Sequence, residues 1–490
     1  MSVWDLKVTI YIYMAIGVCV ALYPRLLKDV LSRNVVIFWL ALVPFLTIIR
    51  TPFVTFFAII GFLYYIQRQV SNPQRLFIFM ALLAAVPVWF KFMISAGAAD
   101  IYEIRYWKLL VLVVLFPALL QLVKEKPKFD FVDVIFLFFV AYHILHYLFF
   151  NESLTFLTAV RLSADVFLYH FVIYYVFSRV VSHHPREAIL YISYGFVILA
   201  IILSGVFVLN QVASVDLYRV HSTAGNIYNL GFLREYRGGF LRTEGTLSGE
   251  TMGLLLGAGL LSLFSMRVML SISALKLSAI AGLFFLAILI TGSRGALFTF
   301  LLISLAFTYF HINNTAIKAA SFLLICIVGV SYFSFFSGGL PVQDEFGTFD
   351  FRAQLWETSL GFVNKYPFGD SLYASHHYFD HMRRGPAQFL DIVSVYLEFW
   401  LPMGYPGLLL YVAPFLITVF HLVSLIFFKS DTLGVYGDSL KLYLPLLIGY
   451  LFMISTVSDV GLIGMLGIVF LAVSRGLIQG HAASQIKANI

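Results

Sequence analysis

Four arginines sit near glycines or aromatic residues in a way that suits a multiply charged anion. Arg237 and Arg242 lie within Arg237-Gly-Gly-Phe-Leu-Arg242-Thr-Glu-Gly245-Thr246, which runs on through Gly249, Glu250 and Gly253. Arg294 lies in Thr291-Gly-Ser-Arg294-Gly-Ala, at the tip of a three- or four-residue turn between apolar segments 277–291 and 296–309. Arg352 precedes Trp356 by four residues. Glycine lets backbone approach a ligand closely, and guanidinium offers paired donors that match phosphate oxygens. The plainer readings are an interfacial loop touching lipid headgroups for the first segment and a snorkelling helix-end arginine for the second.

A second group could move protons. After Tyr366-Pro-Phe-Gly369-Asp370 come His376, His377 and His381, then Arg383 and Arg384, and then Asp391, Ser394, Tyr396 and Glu398 before Gly404 and Gly407. His377 and His381 have the i, i+4 spacing of helical metal ligands, but the chain has no Asp-x-Asp motif to accompany them. A general base is the better use of a histidine here, and an ordinary polar loop is the plain alternative. Arg161 and Asp165, four apart, would pair on one helix face. Lys91, Asp133, His143 and His146 lie near the ends of apolar runs and are expected to snorkel.

The elements that must position these residues are membrane spans. The chain has 490 residues, is 61% hydrophobic and only 12% charged, with a mean hydropathy of +0.92. Soluble domains carry about a quarter charged residues, so lipid is the solvent here. Apolar runs occur near 8–24, 35–49, 52–66, 76–97, 107–123, 131–150, 162–178, 188–210, 249–268, 273–291, 295–311, 317–337, 405–428, 441–457 and 460–475. Several are shorter than a full span, which gives an all-α polytopic protein with about 12 to 15 transmembrane helices. Cys19 and Cys326 both lie in apolar runs, and a disulfide is not expected. Residues 8–22 lack a basic leader and a small-residue cleavage site, so they read as a retained span.

Basic residues fall in every second loop: Arg25, Lys28 and Arg33; Arg68 and Arg75; Lys124, Lys126 and Lys128; Arg179 and Arg186; Arg267 and Lys276; Lys318; Lys429 and Lys441; Arg475 and Lys487. Those loops are assigned to the cytoplasm, against which Arg50, Arg105 and Lys108 stand as exceptions. The net charge of +7 and pI near 9.1 follow from these loops and do not point to nucleic acid. Arg294 and two polar insertions, 211–248 and 338–391, then share the non-cytoplasmic face. The expected layout is a transmembrane bundle at 1–210, a loop at 211–248, helices at 249–337 carrying the Ser-Arg-Gly turn, a large loop at 338–404, and closing helices at 405–490. An arginine kept on the outer face, against the charge bias, needs an anionic partner.

Taken together, Arg242-x-x-Gly245-Thr246 entering a span, the Ser293-Arg294-Gly295 turn, Arg352-x-x-x-Trp356 with Tyr-Pro-x-Gly369, and Ser394-x-Tyr396-Leu followed by Gly404-x-x-Gly407 resemble the bacterial O-antigen ligase and O-antigen polymerase family. The resemblance covers about 237–425; the earlier part resembles the family only as a set of spans. It implies a multi-span glycosyltransferase of the inner membrane, free of metal and cofactor, acting on the periplasmic face. Its donor would be an undecaprenyl-diphosphate-linked glycan, its acceptor a glycan or lipid A-core, and its other partners membrane lipids and a chain-length regulator. Arg242 and Arg294, with Arg237 and Arg352, would hold the diphosphate, and His377 or His376 would take the acceptor proton, with Asp391 and Glu398 as competitors. Ligases of the family carry a histidine followed by Asn, Ser or Gln shortly before the Gly-x-x-Gly pair. Here Val393-Ser394 stands there, which turns the reading toward polymerisation of repeat units, with O-antigen ligation as the alternative. A lipid-linked sugar flippase or other transporter is the competitor from another class, although no internal repeat supports it. A purely structural role in an assembly complex gives Arg294 no purpose.

Overall fold

The chain is an all-α, multi-pass membrane protein. This computed structural model describes chiefly residues 70–85, 91–96, 99–125, 129–150, 155–213, 249–270, 273–291, 294–311, 348–370, 394–428, 436–454 and 462–488, with short pieces between them. Among these residues five helices are long and apolar enough to cross a membrane: Phe131–Phe149, Phe156–His183, Pro185–Gly205, Val395–Phe428 and Gly464–Gln485. Shorter apolar helices are Val111–Leu122, Thr251–Met266, Ala274–Ile290 and Ala296–His311. Helices dominate because lipid cannot satisfy a backbone N–H or C=O, so each segment must close its own hydrogen bonds. By packing, the chain divides into two compact units, 1–125 with 179–300 and 126–178 with 301–490.

In the first unit the helices Asn72–Ala85, Pro185–Ala213, Gly249–Leu270 and Ala274–Thr291 pack together through small residues. A Cβ on Gly195 would meet Met80 Cβ at 2.5 Å, and one on Gly259 would meet Ala200 Cβ at 2.4 Å, so these glycines set the helix spacing. One stretch departs from the spans expected at 76–97 and 107–123. The first helix ends at Ala85, just before Pro87, and Lys91–Ala96 pairs with Ala99–Arg105 as an antiparallel hairpin. Proline lacks the N–H a continuing helix needs. The second run is helical from Tyr106 but widens into a π-turn, Val111–Leu115, ahead of Pro117.

In the second unit the Phe131–Phe149 helix starts with a capping box. Asp130 Oδ1 accepts from Val132 N (2.9 Å) and Asp133 N (3.0 Å), while Asp130 N donates to Asp133 Oδ2 (3.1 Å). The same two carboxylates tie four helices together. Arg475 of the Leu462–Ala488 helix pairs with Asp130 and donates to His421 Nδ1 of the Val395–Phe428 helix at 3.1 Å. Gln479 donates to Asp130 Oδ2 and Asp133 Oδ2, each at 2.9 Å, and Tyr174 Oη donates to Asp133 Oδ1 at 2.5 Å. Two expectations are corrected here. Asp133 does not snorkel but is 1% exposed, and Arg475 is not a loop residue but is 3% exposed within a helix. Each is held inside because the other side of the cluster supplies its charge or hydrogen bonds.

Burial alone would push the Asp130 carboxyl up, but the Arg475 guanidinium, the Gln479 amide and the Asp133 N–H outweigh it and hold the group below its ordinary value. A depressed carboxyl contributes stability that is complete above its unfolded value and is lost as pH falls through the native one. Asp130→Asn leaves Arg475 buried without its counter-charge and should cost on the order of 3 kcal/mol in unfolding of the purified protein. The deficit should stay constant down to about pH 5 and shrink only below about pH 4. A deficit that already shrinks between neutrality and about pH 5 contradicts the assignment.

Candidate functional site

The turn at Arg294 is tight. One helix ends at Thr291 and the next begins at Arg294 itself. Within the first unit, Gly253 brings the Gly249–Leu270 helix against the start of this second helix. A Cβ on Gly253 would lie 2.3 Å from the Ala296 carbonyl oxygen and 2.5 Å from its Cα, so the two backbones touch. Gly253 is one turn from Gly249, and Ala296 is the third residue of its helix. Two helix N-termini therefore meet, one headed by Arg294 and the other entered from Arg242-x-x-Gly245-Thr246. Each N-terminus presents unpaired N–H groups and a partial positive charge, which favour an anion. Arg237 ends the Tyr236–Arg237 strand, paired with Phe240–Leu241 across Gly238-Gly239. Arg242 lies outside the described residues, as do the side chains of Arg237 and Arg294.

In the second unit the remaining motif residues assemble around one crossing. Arg352 is in the backbone of the Thr348–Lys365 helix, a helix within the insertion expected as loop, and its side chain is outside the described residues. Four residues on, Trp356 faces Trp400 at 6.2 Å between ring centroids. The helix is fixed to the Val395–Phe428 helix by Phe362 and Val363 against Leu397, Trp400 and Leu401. It ends in Tyr366-Pro-Phe-Gly369, a turn closed by Gly369 N donating to Tyr366 O at 2.9 Å.

Gly369 (φ +88°) and Gly404 (φ +65°) are both left-handed and lie against each other. A Cβ on Gly369 would fall 2.0 Å from Pro402 O, and one on Gly404 would fall 2.2 Å from Pro367 O. No side chain fits at either place. Tyr405 N then donates to Pro367 O at 2.9 Å, and Tyr405 Oη donates to Asn364 Oδ1 at 2.9 Å. Gly404 has non-helical backbone and separates a helical stretch from Val395, within the segment expected as loop, from the helix that runs on to Phe428.

The kink releases carbonyls, and the Phe131–Phe149 helix takes them up. Tyr142 Oη lies 3.1 Å from Met403 O and 3.3 Å from Phe368 O. One turn on, His146 stacks on Phe150 at 5.7 Å and lies 6.4 Å from the Tyr142 ring, between ring centroids. His146 is 3% exposed and His143 8%, so neither snorkels as expected. His143 packs instead on His170 of the π-turn Phe167–Val172 and on Phe399, at 5.6 and 5.7 Å between ring centroids. Where the insertion returns, Ser394 Oγ and Val395 N both donate to Ile454 O (3.1 and 3.0 Å), and Tyr396 Oη donates to Leu451 O at 2.8 Å. Ser394-x-Tyr396 therefore caps the last carbonyls of the Gly437–Met453 helix.

Of the candidate bases, Glu398 is half-buried in the first turn of its helix, with Tyr147 and Tyr411 in its field. His376, His377, His381 and Asp391 lie outside the described residues. Tyr142 was not singled out from sequence, although it is a polar aromatic residue on a mostly apolar helix.

Residues 279–412 match the family model described as O-Antigen ligase. Comparison with curated proteins gives no match. The matched segment runs from the helix before Arg294, through Arg352, Gly369 and Ser394, to just past the Gly404 kink, so it holds both the turn and the crossing. The match covers 279–412 of the 490 residues and supports the O-antigen ligase and polymerase family for that segment.

Proposed function

We propose that the protein is a metal-independent glycosyltransferase that moves a glycan from an undecaprenyl-diphosphate carrier to a glycan acceptor, polymerising O-antigen or exopolysaccharide repeat units. The observation that supports this is the backbone contact of Gly253 with Ala296, which sets the Gly249–Leu270 helix against the helix headed by Arg294. Polymerisation is preferred to ligation onto lipid A-core because Val393-Ser394 stands where ligases carry histidine. In the reaction the acceptor hydroxyl oxygen attacks the anomeric carbon, a new C–O bond forms, and the glycosyl–phosphate C–O bond breaks. The electron pair leaves with the diphosphate, whose growing charge is met by Arg242 and Arg294, with Arg237 and Arg352 in support. Guanidinium charges do what a divalent cation would otherwise do. The acceptor proton passes to a base at or beside the insertion: His377, with His376 as substitute and Asp391 and Glu398 as competitors.

The basic-loop alternation supports a bacterial inner-membrane location with 211–248, Arg294 and 338–391 in the periplasm, where the donor glycan is presented. It also supports the division into a bundle at 1–210, a second group of helices at 249–337 and a closing group at 405–490. In a protein freed of Cys19 and Cys326, cysteines at Ser222 and Gln388 should react with an impermeant thiol reagent in spheroplasts, while one at Asn72 should not. The opposite labelling removes the site from the donor's side of the membrane.

If Arg242 and Arg294 grip diphosphate as forks, lysine cannot replace them. Arg242→Lys and Arg294→Lys should each cost about 3 kcal/mol in the transition state, roughly a hundredfold in rate, in protein that inserts normally. Wild-type polymer from either variant contradicts the clamp. For the base, the double variant His376→Ala, His377→Ala should lose about a hundredfold in rate while still binding donor. An active double variant alongside an equally damaged Asp391→Asn or Glu398→Gln transfers the role to that carboxylate.

A further inference from the structure

The aromatic residues along the insertion's helix form a surface that the chemistry above does not use. Trp356, Leu360 and Asn364 follow one another at four-residue intervals in the Thr348–Lys365 helix, so they share one stripe of it. Trp356 is half-buried, while Leu360 and Asn364 are exposed. Trp400 of the Val395–Phe428 helix packs beside the stripe and is 6% exposed. Its ring centroid lies 6.2 Å from that of Trp356 and 5.6 Å from that of Tyr405. A buried indole therefore has two partly exposed rings against it, Tyr405 being 36% exposed.

Polar groups stand beside these rings. Tyr405 Oη donates to Asn364 Oδ1 at 2.9 Å, a bond that leaves the Asn364 NH2 group and the Tyr405 lone pairs for other partners. The Trp400 indole N–H is buried and has no acceptor among the described residues. A buried donor without a partner calls for an acceptor that the chain itself does not supply. Hydrocarbon meets neither need, because it can bond neither the indole nor the amide. A sugar ring meets both: its C–H faces lie flat on aromatic rings, while the hydroxyls at its edge donate and accept. Aromatic walls with a few placed polar groups are how binding sites hold and orient such rings.

We propose that Trp356 and Tyr405, backed by Trp400 and edged by Asn364, form a saccharide subsite on which sugar rings of the glycan stack. Arg352 is one turn before Trp356 in the same helix, so the subsite begins next to a residue assigned above to the diphosphate. The identity of the ligand rests on the glycan transfer proposed above. The subsite acts through binding, so it governs KM for a glycan substrate and leaves kcat nearly unchanged.

The test uses the full-length protein in proteoliposomes and, as probe, the lipid-free oligosaccharide cleaved from the host's own surface polysaccharide. Trp356 fluorescence is read as the difference between the parent and Trp356→Phe. The oligosaccharide should shield Trp356 from aqueous acrylamide, and phospholipids brominated in their acyl chains should quench it only weakly. Trp356→Phe keeps a ring face and should bind the oligosaccharide within about threefold of the parent. Trp356→Leu fills similar space to phenylalanine without a ring and should weaken binding about tenfold. Asn364→Ala should weaken it a few-fold. An unshielded Trp356, strong quenching by brominated lipid, or a leucine that binds as well as phenylalanine overturns the subsite; the second of these makes the surface a membrane anchor. Should Trp356→Leu fail to fold, shielding of the parent decides alone.

Turnover separates this inference from the reaction it rests on. With an undecaprenyl-diphosphate-linked repeat unit, Trp356→Leu should raise KM about tenfold for one glycan substrate with kcat nearly unchanged. A rise for the donor seats the carrier-bound glycan on the rings, and a rise for the acceptor seats the growing chain there. A loss confined to kcat overturns the subsite. A parent that is shielded by oligosaccharide yet transfers nothing refutes the transferase reading and supports the subsite. A parent that turns over without shielding refutes the subsite alone.

Discussion

The head of the second unit depends on two stretches of backbone meeting with nothing between them. Gly369 and Gly404 each occupy a conformation that other residues avoid, and each lies where a Cβ would strike a carbonyl oxygen of the other stretch. Because they touch, the insertion's helix can end and the long Val395–Phe428 helix can break at the same point. The break exposes carbonyls that lipid cannot satisfy, and Tyr142 takes up that of Met403. The glycine pair therefore gives the neighbouring helix a use for a polar side chain at that level.

The other end of the same helix follows a related rule with charge in place of carbonyls. Asp130 and Asp133 cap the helix and also engage Arg475, Gln479 and Tyr174, so one acidic cluster serves local and tertiary structure together. Polar groups buried in a membrane protein are costly unless shared in this way. In the first unit the rule is steric. Gly195, Gly253 and Gly259 let helices approach to backbone contact, and the Gly253 contact is the one that brings two helix heads together near the arginine-bearing segments.

Much of this was legible in the sequence. Composition required a multi-pass helical protein, and Arg294, Gly369, Ser394, Gly404 and Trp356 were visible as pieces of one pattern because glycine, proline and arginine are conspicuous in apolar sequence. What could not be read were partners distant in the chain. His143, His146 and Asp133 looked like snorkelling end residues because a single helix seen alone offers them only water. His143 and Asp133 in fact meet Phe399 and Tyr174, which lie about 256 and 41 residues away along the chain. Arg475 was read as a loop charge for the same reason. Pro402, Gly404, Pro406 and Gly407, residues that end helices, marked a span boundary in the sequence; the non-helical Gly404 lies there, but the helical stretch before it and its packing against Gly369 could not be read.

The most direct measurement is turnover by the purified protein alone. Reconstituted in proteoliposomes and given an undecaprenyl-diphosphate-linked repeat unit, with a second repeat unit as acceptor and a chelator present, it should release undecaprenyl diphosphate in step with lengthening of the glycan. Release and lengthening that require an added divalent cation, or movement of the intact lipid-linked glycan between leaflets with no new glycosidic bond, would contradict a metal-independent glycosyl transfer.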